Sequence, residues 1–422
     1  MKKNEAILLL VLFLFAFSLR FYDLSYPDFK WMDENAHVPA AIHYWNDGQS
    51  EPDNWEHPPL RHIILYGFLK LFGDNPFGWR MRNVLSGAIA AVLTYLFARQ
   101  ISGSRKTALM AGLLLATDPL HVVFSRYTCD EVYGGAFFLA AVVLYVKYAG
   151  TLKVGDTSNV TDAHKQGMLF VLSAFFMGCA LAIKWNFVPG WILVLLLALF
   201  RNADSRDVRS AAFVSSIYLL VPLSMYLLSY YQWFGRGYTV KELMELVING
   251  YYSLQSYTSE TYIPGMTFLS HPSASEWFVR PIVMGQGIYL NAHLGEFNLF
   301  VNNPPVWILT IPSMIGLAIV AVRKKSMTIA LPVIFFCASY MLFLFVRRPV
   351  FLYSAVPLLP FAFTAIAFLT VKLSDRFSAK LYYAVLALML SWSLFLYPLV
   401  TAKKVPIAPY RYILDDTHIN IT

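Results

Sequence analysis

Apolar residues run along this chain in long uninterrupted blocks, without the strict alternation of half-buried strands. Eleven blocks are expected to be helices, at about 6–22, 82–101, 107–123, 130–148, 167–183, 186–200, 211–231, 305–322, 327–346, 350–371 and 380–399. Crossing a bilayer takes roughly 20 apolar residues per helix, and a helix satisfies its own backbone polar groups in lipid. Without period-two patterning a membrane barrel is excluded. The pattern therefore predicts an all-α polytopic membrane protein with about 11 transmembrane helices. The fifth and sixth blocks share a tight turn at Lys184-Trp185-Asn186. Two long polar stretches, about 23–81 and 232–304, are expected as large loops, and about 305–400 as a C-terminal four-helix part. The whole, 1–422, reads as a single membrane domain.

Lysine and arginine recur in alternate loops: Lys2-Lys3, Arg105-Lys106, Lys147 with Lys153 and Lys165, Arg201 with Arg206 and Arg209, Arg323-Lys324-Lys325, and Lys372 with Arg376 and Lys380. By the positive-inside rule these loops and the N-terminus are cytoplasmic. Both large loops then lie on the extracytoplasmic side. The first block ends in Arg20-Phe21-Tyr22-Asp23 with no small-x-small site, so it is expected to remain as an uncleaved helix.

Composition agrees. The chain is 58% hydrophobic and 14% charged, with mean hydropathy +0.53, whereas a soluble domain is about a quarter charged. The net charge of +8 is dispersed, with no basic block interleaved with aromatics, so membrane lipids are expected partners and nucleic acid is not. Cys129, Cys179 and Cys337 fall in apolar blocks and form no CxxC pair. Pro58-Pro59 suits a helix start, and the following Leu60–Phe72 stretch, carrying Arg61, His62 and Lys70, reads as an interfacial helix.

Candidate chemistry collects in the outer loops. Asp33-Glu34 follows the first block. One carboxylate could take a proton from an attacking hydroxyl while the other orients the site; the pair could equally be a helix cap or a solvated loop. Arg80 and Arg82 open the second block, where arginine holds phosphate bidentately or merely snorkels to the interface. Arg347-Arg348 stand on the outer side, against the positive-inside trend, as a phosphate clamp or a headgroup anchor. Lys184 lies between two apolar blocks and needs a partner or a wet cavity. Asp118, Arg126, Asp130 and Glu131 crowd one end of the third and fourth blocks, where Arg126 is expected to pair with an acid. His37, His43, His57 and His62 share the first loop at no recognised metal-ligand spacing, so neither metal nor cofactor is expected.

Taken in order, these pieces resemble the protein O-mannosyltransferases and related polyprenyl-phosphate-sugar transferases, including those that add aminoarabinose to lipid A. The resemblance rests on Asp33-Glu34, Glu56-His57-Pro58-Pro59-Leu60, Trp79-Arg80-Met81-Arg82, Asp118-Pro119-Leu120, Ser125-Arg126-Tyr127, Asp130 and Lys184-Trp185. Later in the chain it rests on Ser275 to Pro281, Asn303 to Trp307, and Arg348 through Phe361. It implies a GT-C fold and transfer of a hexose, mannose foremost, from a polyprenyl- or dolichyl-phosphate donor to a hydroxyl, with inversion. It implies Asp33 as base with Glu34 in support, and Arg82, Arg80, Arg348 and Lys184 toward the donor phosphate. His57, Pro58, Arg126 and Asp130 would shape the site. The second loop is too short for the β-trefoil of the eukaryotic enzymes, which fits a prokaryotic member of the family in the cell membrane. The acceptor is thus a protein Ser/Thr, or a lipid or envelope glycan. A transporter is the remaining alternative, but no internal repeat is visible. Oligomeric state is left open.

Overall fold

The computed structural model describes residues 3–31, 33–46, 57–151, 160–203, 208–256, 273–291, 293–346, 350–414 and 419–421. Its helices in chain order are α1 (Lys3–Phe21), α2 (Glu34–Asn46), α3 (Leu60–Phe72), α4 (Pro76–Ser102), α5 (Arg105–Thr117), α6 (Pro119–Phe124), α7 (Asp130–Thr151), α8 (Val160–Leu181) and α9 (Val188–Ala203). Then come α10 (Val208–Ser229), α11 (Tyr231–Gly235), α12 (Val240–Ser256), α13 (Pro304–Trp307), α14 (Thr310–Arg323), α15 (Met327–Phe345), α16 (Leu359–Arg376), α17 (Ala379–Val400) and α18 (Arg411–Leu414). Among the described residues, nine helical segments are long and apolar enough to cross a membrane.

The other two expected spans are shorter. The third breaks at Asp118-Pro119, where the Asp118 carboxylate accepts the His121 backbone N–H at 2.9 Å and Pro119 stands at the first position of a new helix. A carboxylate cap followed by proline starts a helix, so the apolar run is divided into α5 and α6. The sixth, in α9, is an apolar helix below full spanning length. Elsewhere ordinary signals set the ends. Asn75 caps α4 through the Gly78 N–H, and Gly103 closes it in the left-handed region.

The bundle is centred on α4, which packs on α5, α7 and α16, with α16 also on α5. Small residues make the approach close, as is usual where lipid supplies no hydrophobic drive between helices: Ala88, Ala91 and Ala98 on α4 and Ala108 and Ala111 on α5 are wholly buried. Gly87 is the tightest requirement. A Cβ there would stand 2.3 Å from Ser125 Oγ and 2.7 Å from Arg20 Nε.

The membrane part is helical as expected, but segments before α13 and after α17 also build a sheet. Strands β1 (Val283–Tyr289) and β2 (Leu294–Val301) form an antiparallel hairpin. β3 (Lys404–Pro406) adds antiparallel to β2 and β4 (Ile419–Ile421) parallel to β1, in the order β3-β2-β1-β4. β2 packs on α6 and α17, and Phe300 stacks on Phe124 at 4.8 Å.

Two buried arginines fasten α1 to this end of the bundle. Arg20 donates to the carbonyls of Ala16, Ala116 and Leu115 at 2.8–3.2 Å and meets His121 Nδ1 at 2.9 Å. Arg126, expected to pair with an acid, instead donates to the carbonyls of Arg20, Tyr22 and Asp23 at 2.6–3.1 Å. Helix ends leave carbonyls unsatisfied, and a guanidinium with several donors satisfies more than one of them while complementing the helix dipole. The chain therefore leaves α1 on a fixed course toward residues 23–34. Gly87→Val should overpack this junction and cost about 1–3 kcal/mol, read as a lowered thermal midpoint of the protein in detergent.

Candidate active site at one end of the bundle

Arg80 is the first determinant of the site. It is wholly buried, and all five of its N–H groups are engaged. Nε and Nη2 reach the two oxygens of Glu34 at 3.0 Å each. Nη1 donates to the carbonyls of Leu24 and Pro27, and the second Nη2 proton to that of Phe29. Glu34, also wholly buried, accepts in addition the backbone N–H of Trp31 at 2.9 Å and of Thr128 at 3.3 Å. The loop 24–34, α4 and the α6–α7 turn are thereby tied to one bidentate ion pair. Arg80 was expected at the donor phosphate. Its donors are all used inside the protein, so it has none left for a phosphate and holds the loop instead.

This fixes Asp33. Its backbone carbonyl opens α2 by accepting from Ala36 and His37, but its carboxylate has no hydrogen-bond partner among the described residues and does not cap the helix. The side chain is 44% exposed. Burial pushes its carboxyl up to about 7, against Lys184 and Arg61 and with help from Asp130 and Glu131.

Facing it is a charged cluster carried by α3, α4, α7 and the turn before α9. Asp130 accepts Arg61 Nη1 at 3.0 Å and the Tyr133 hydroxyl at 2.6 Å. Lys184 Nζ bonds Glu131 at 2.5 Å and lies 5.0 Å over the Tyr353 ring. Arg82 donates to the Arg61 carbonyl at 2.8 Å and to Asn83 at 3.2 Å, and stacks 4.5 Å over Tyr133. Its Nη2 is buried without a partner. Unlike Arg80, Arg82 thus keeps a donor in reserve. The buried Pro58 and Pro59 and the His57 ring, edge-on to Trp185 at 6.3 Å, dock the first loop on the 182–185 turn, where Leu60 N–H bonds the Ala182 carbonyl.

The structure thus gathers Asp33, Glu34, Arg80, Arg82, Asp130, Lys184, His57 and Pro58 around one mouth. Arg126 lies behind it as a cap of α1, and Arg348 lies outside the described residues. Arg61 and Tyr133 were not foreseen as site residues. The stretch that reads from sequence as an interfacial helix is α3, and its Arg61 and His62 are buried, whereas Leu71 and Phe72 are exposed. The signal for Tyr133 was its place one turn after Asp130. Among the described residues no group of three or more His, Cys, Asp or Glu is arranged to hold a metal. Beside the cluster, an apolar cavity of about 610 Å³ runs between α4 and α7, from Tyr133 past Ile89, Leu93, Phe137 and Ala140 to Lys147.

Residues 65–236 match the family model for dolichyl-phosphate-mannose-protein mannosyltransferase. Of the chain, 48% aligns at 28% identity with the polyprenol-phosphate-mannose–protein mannosyltransferase of Mycolicibacterium smegmatis (strain ATCC 700084 / mc(2)155), covering 44% of that relative. The chain thus spans less than half the length of that relative. The S. cerevisiae protein O-mannosyltransferase Pmt1-Pmt2 complex bound to the sugar donor superposes with a TM-score of 0.77 at 13% identity, over 100% of this chain and 93% of that one. The fold is GT-C. ArnT from Cupriavidus metallidurans bound to undecaprenyl phosphate shares it at a TM-score of 0.54 and 15% identity, over 90% of this chain and 61% of that one. The resemblance read from the motifs therefore holds, and this GT-C protein is an integral membrane protein.

Removing one member of a buried ion pair leaves a charge uncompensated, at a cost of about 3–5 kcal/mol. Arg80→Ala should lose stability on that scale, measured by thermal unfolding in detergent.

Proposed function

We propose that this protein transfers a mannosyl group from a polyprenyl-phosphate donor to a hydroxyl of a protein acceptor, with inversion, on the extracytoplasmic face. The observation that carries the reading is Asp33, a carboxylate with no hydrogen bond from the described residues, near neutrality and facing a charged cluster that includes Arg61, Arg82 and Lys184. The acceptor oxygen attacks the anomeric carbon as its proton passes to the Asp33 carboxylate. The bond from that carbon to the phosphate oxygen breaks, and the electron pair leaves with the phosphate. Such a leaving group needs cations and no second acid, in contrast to glycosidases with their two separated carboxylates. Arg82 supplies its unpartnered donor to the phosphate, and Lys184 adds charge. Glu34 and Arg80 hold the base in place. The isoprenoid chain lies in the apolar cavity between α4 and α7, whose upper end is the Tyr133 ring beneath Arg82.

The family match over 65–236, which includes Arg80, Arg82, Asp130 and Lys184, supports this chemistry. The name of the mycobacterial relative favours protein as acceptor. The face follows from the basic loops at the far ends of the helices.

The test is transfer of label from polyprenyl-phosphate mannose by the purified protein in lipid, with protein and lipid acceptors offered together. Label in protein supports the reading; label in lipid alone overturns the acceptor. Asp33→Asn should lower kcat by about 10²- to 10⁴-fold. Because Asp33 is raised, it is protonated below its pKa of about 7, so wild-type kcat/KM should fall as pH drops through that value. Arg82→Ala should raise donor KM or lower kcat by about tenfold or more, the scale of one hydrogen bond to a charged group. Unchanged donor kinetics would remove it from the phosphate.

A further inference from the structure

We propose that His37 is a positioning residue that holds the Asp33 carboxylate through its Nε2–H while the acceptor hydroxyl is deprotonated. The inference rests on Asp33 being the base. Residues 33 and 37 are one helical turn apart at the start of α2, and so share a face.

His37 is buried, 6% exposed. Its Nε2 stands 3.9 Å from Asp33 Oδ2 and 4.0 Å from Asp130 Oδ2, between the two carboxylates of the site. They do not compete equally for a donor. Asp130 already receives Arg61 and Tyr133, whereas the Asp33 carboxylate receives no hydrogen bond from the described residues. The opposite nitrogen, Nδ1, is buried with no partner. A neutral imidazole carries its proton on one nitrogen only. A proton on Nδ1 would be a buried donor without an acceptor. A proton on Nε2 has two carboxylates before it, and we assign that tautomer.

The surroundings keep the ring neutral. His37 faces Asp33 on its own helix, Arg61 and His62 on α3, Arg82 on α4, Asp130 on α7 and Lys184 in the turn before α9. Burial pushes its pKa down to about 3; Asp130 opposes this, and Arg61, Arg82 and Lys184 add to it. A cation at this position would make Asp33 a strong acid and a poor base. An uncharged donor orients the carboxylate at a smaller cost in basicity. The present separation exceeds a formed hydrogen bond. Catalytic hydrogen bonds are often long without substrate and tighten in the complex, and a shift of under an ångström (about the margin of a formed bond) suffices here.

The experiment compares His37→Gln, His37→Asn and His37→Ala with Asp33→Asn in the mannose-transfer assay, over a range of pH. The glutamine amide nitrogen reaches the place of Nε2; the shorter asparagine reaches only that of Nδ1. Expected are a kcat loss of about 10- to 100-fold for the alanine and asparagine variants, the scale of a misplaced reacting group, with donor KM unchanged and activity largely kept by His37→Gln. With the donor gone, the ionised form of Asp33 loses support, so the acid limb of kcat/KM should move to higher pH in the impaired variants. Equal impairment of the glutamine and asparagine variants with an unmoved acid limb would show that the ring only fills space. Full activity in all three would exclude His37 from the reaction while Asp33→Asn remains inactive. Activity retained in Asp33→Asn would instead refute the base assignment on which the inference stands.

Discussion

The buried pair Glu34–Arg80 is the interaction on which the site depends. One guanidinium, with five donors, gathers three loop carbonyls and a carboxylate. That carboxylate in turn gathers two backbone N–H groups from separate parts of the chain. Loops do not normally hold a reactive group to the tolerance that catalysis needs. Here three carbonyls of the loop after α1 and the N–H of Trp31 are bonded to this centre. Adjacent residues in such a loop point apart, which is why Glu34 can be wholly enclosed while its neighbour Asp33 opens to the mouth.

The same logic recurs at the end of α1. Arg20 and Arg126 satisfy helix-terminal carbonyls that would otherwise be buried without partners. The small sheet reaches the same loop from the other side, where the Tyr26 hydroxyl donates to Glu296 of β2. This end of the bundle is thus held by polar contacts, and its helical body by small-residue packing. This division follows from solvent: in lipid, close apolar packing is available and unpaired charge is not. At the interface, charges can be partly hydrated and can be used. The arginines that open α4 divide accordingly into Arg80, whose donors are all engaged by protein, and Arg82, which retains a buried donor without a partner.

Much of this was legible from the residues alone. Apolar run length marked out the membrane helices, because the bilayer imposes a similar length on every span; it did not show that Asp118-Pro119 divides one run or that α9 is short. The chemistry-bearing residues Asp33, Arg82, Asp130 and Lys184 were visible because charge is costly near a membrane and few such positions exist. The sheet was not legible, since its strands are short, β1 contains Gly285 and Gly287, and two of its members come from the far end of the chain.

What the sequence could not decide was the allocation of partners. Arg80 and Arg82 are two residues apart and look alike, yet one is used up by the fold and the other keeps a buried donor unpaired. Arg61 had no assigned role in the sequence and is the counter-ion of Asp130, because α3 turns its first residues inward. His37 acquired its place between two carboxylates only when α2 and α7 met. Run length, capping and net charge are properties of neighbouring residues, and the chain determines them by itself. Which guanidinium nitrogen meets which oxygen is settled by helices that approach across 40 to 100 residues of sequence, and only the tertiary structure decides it.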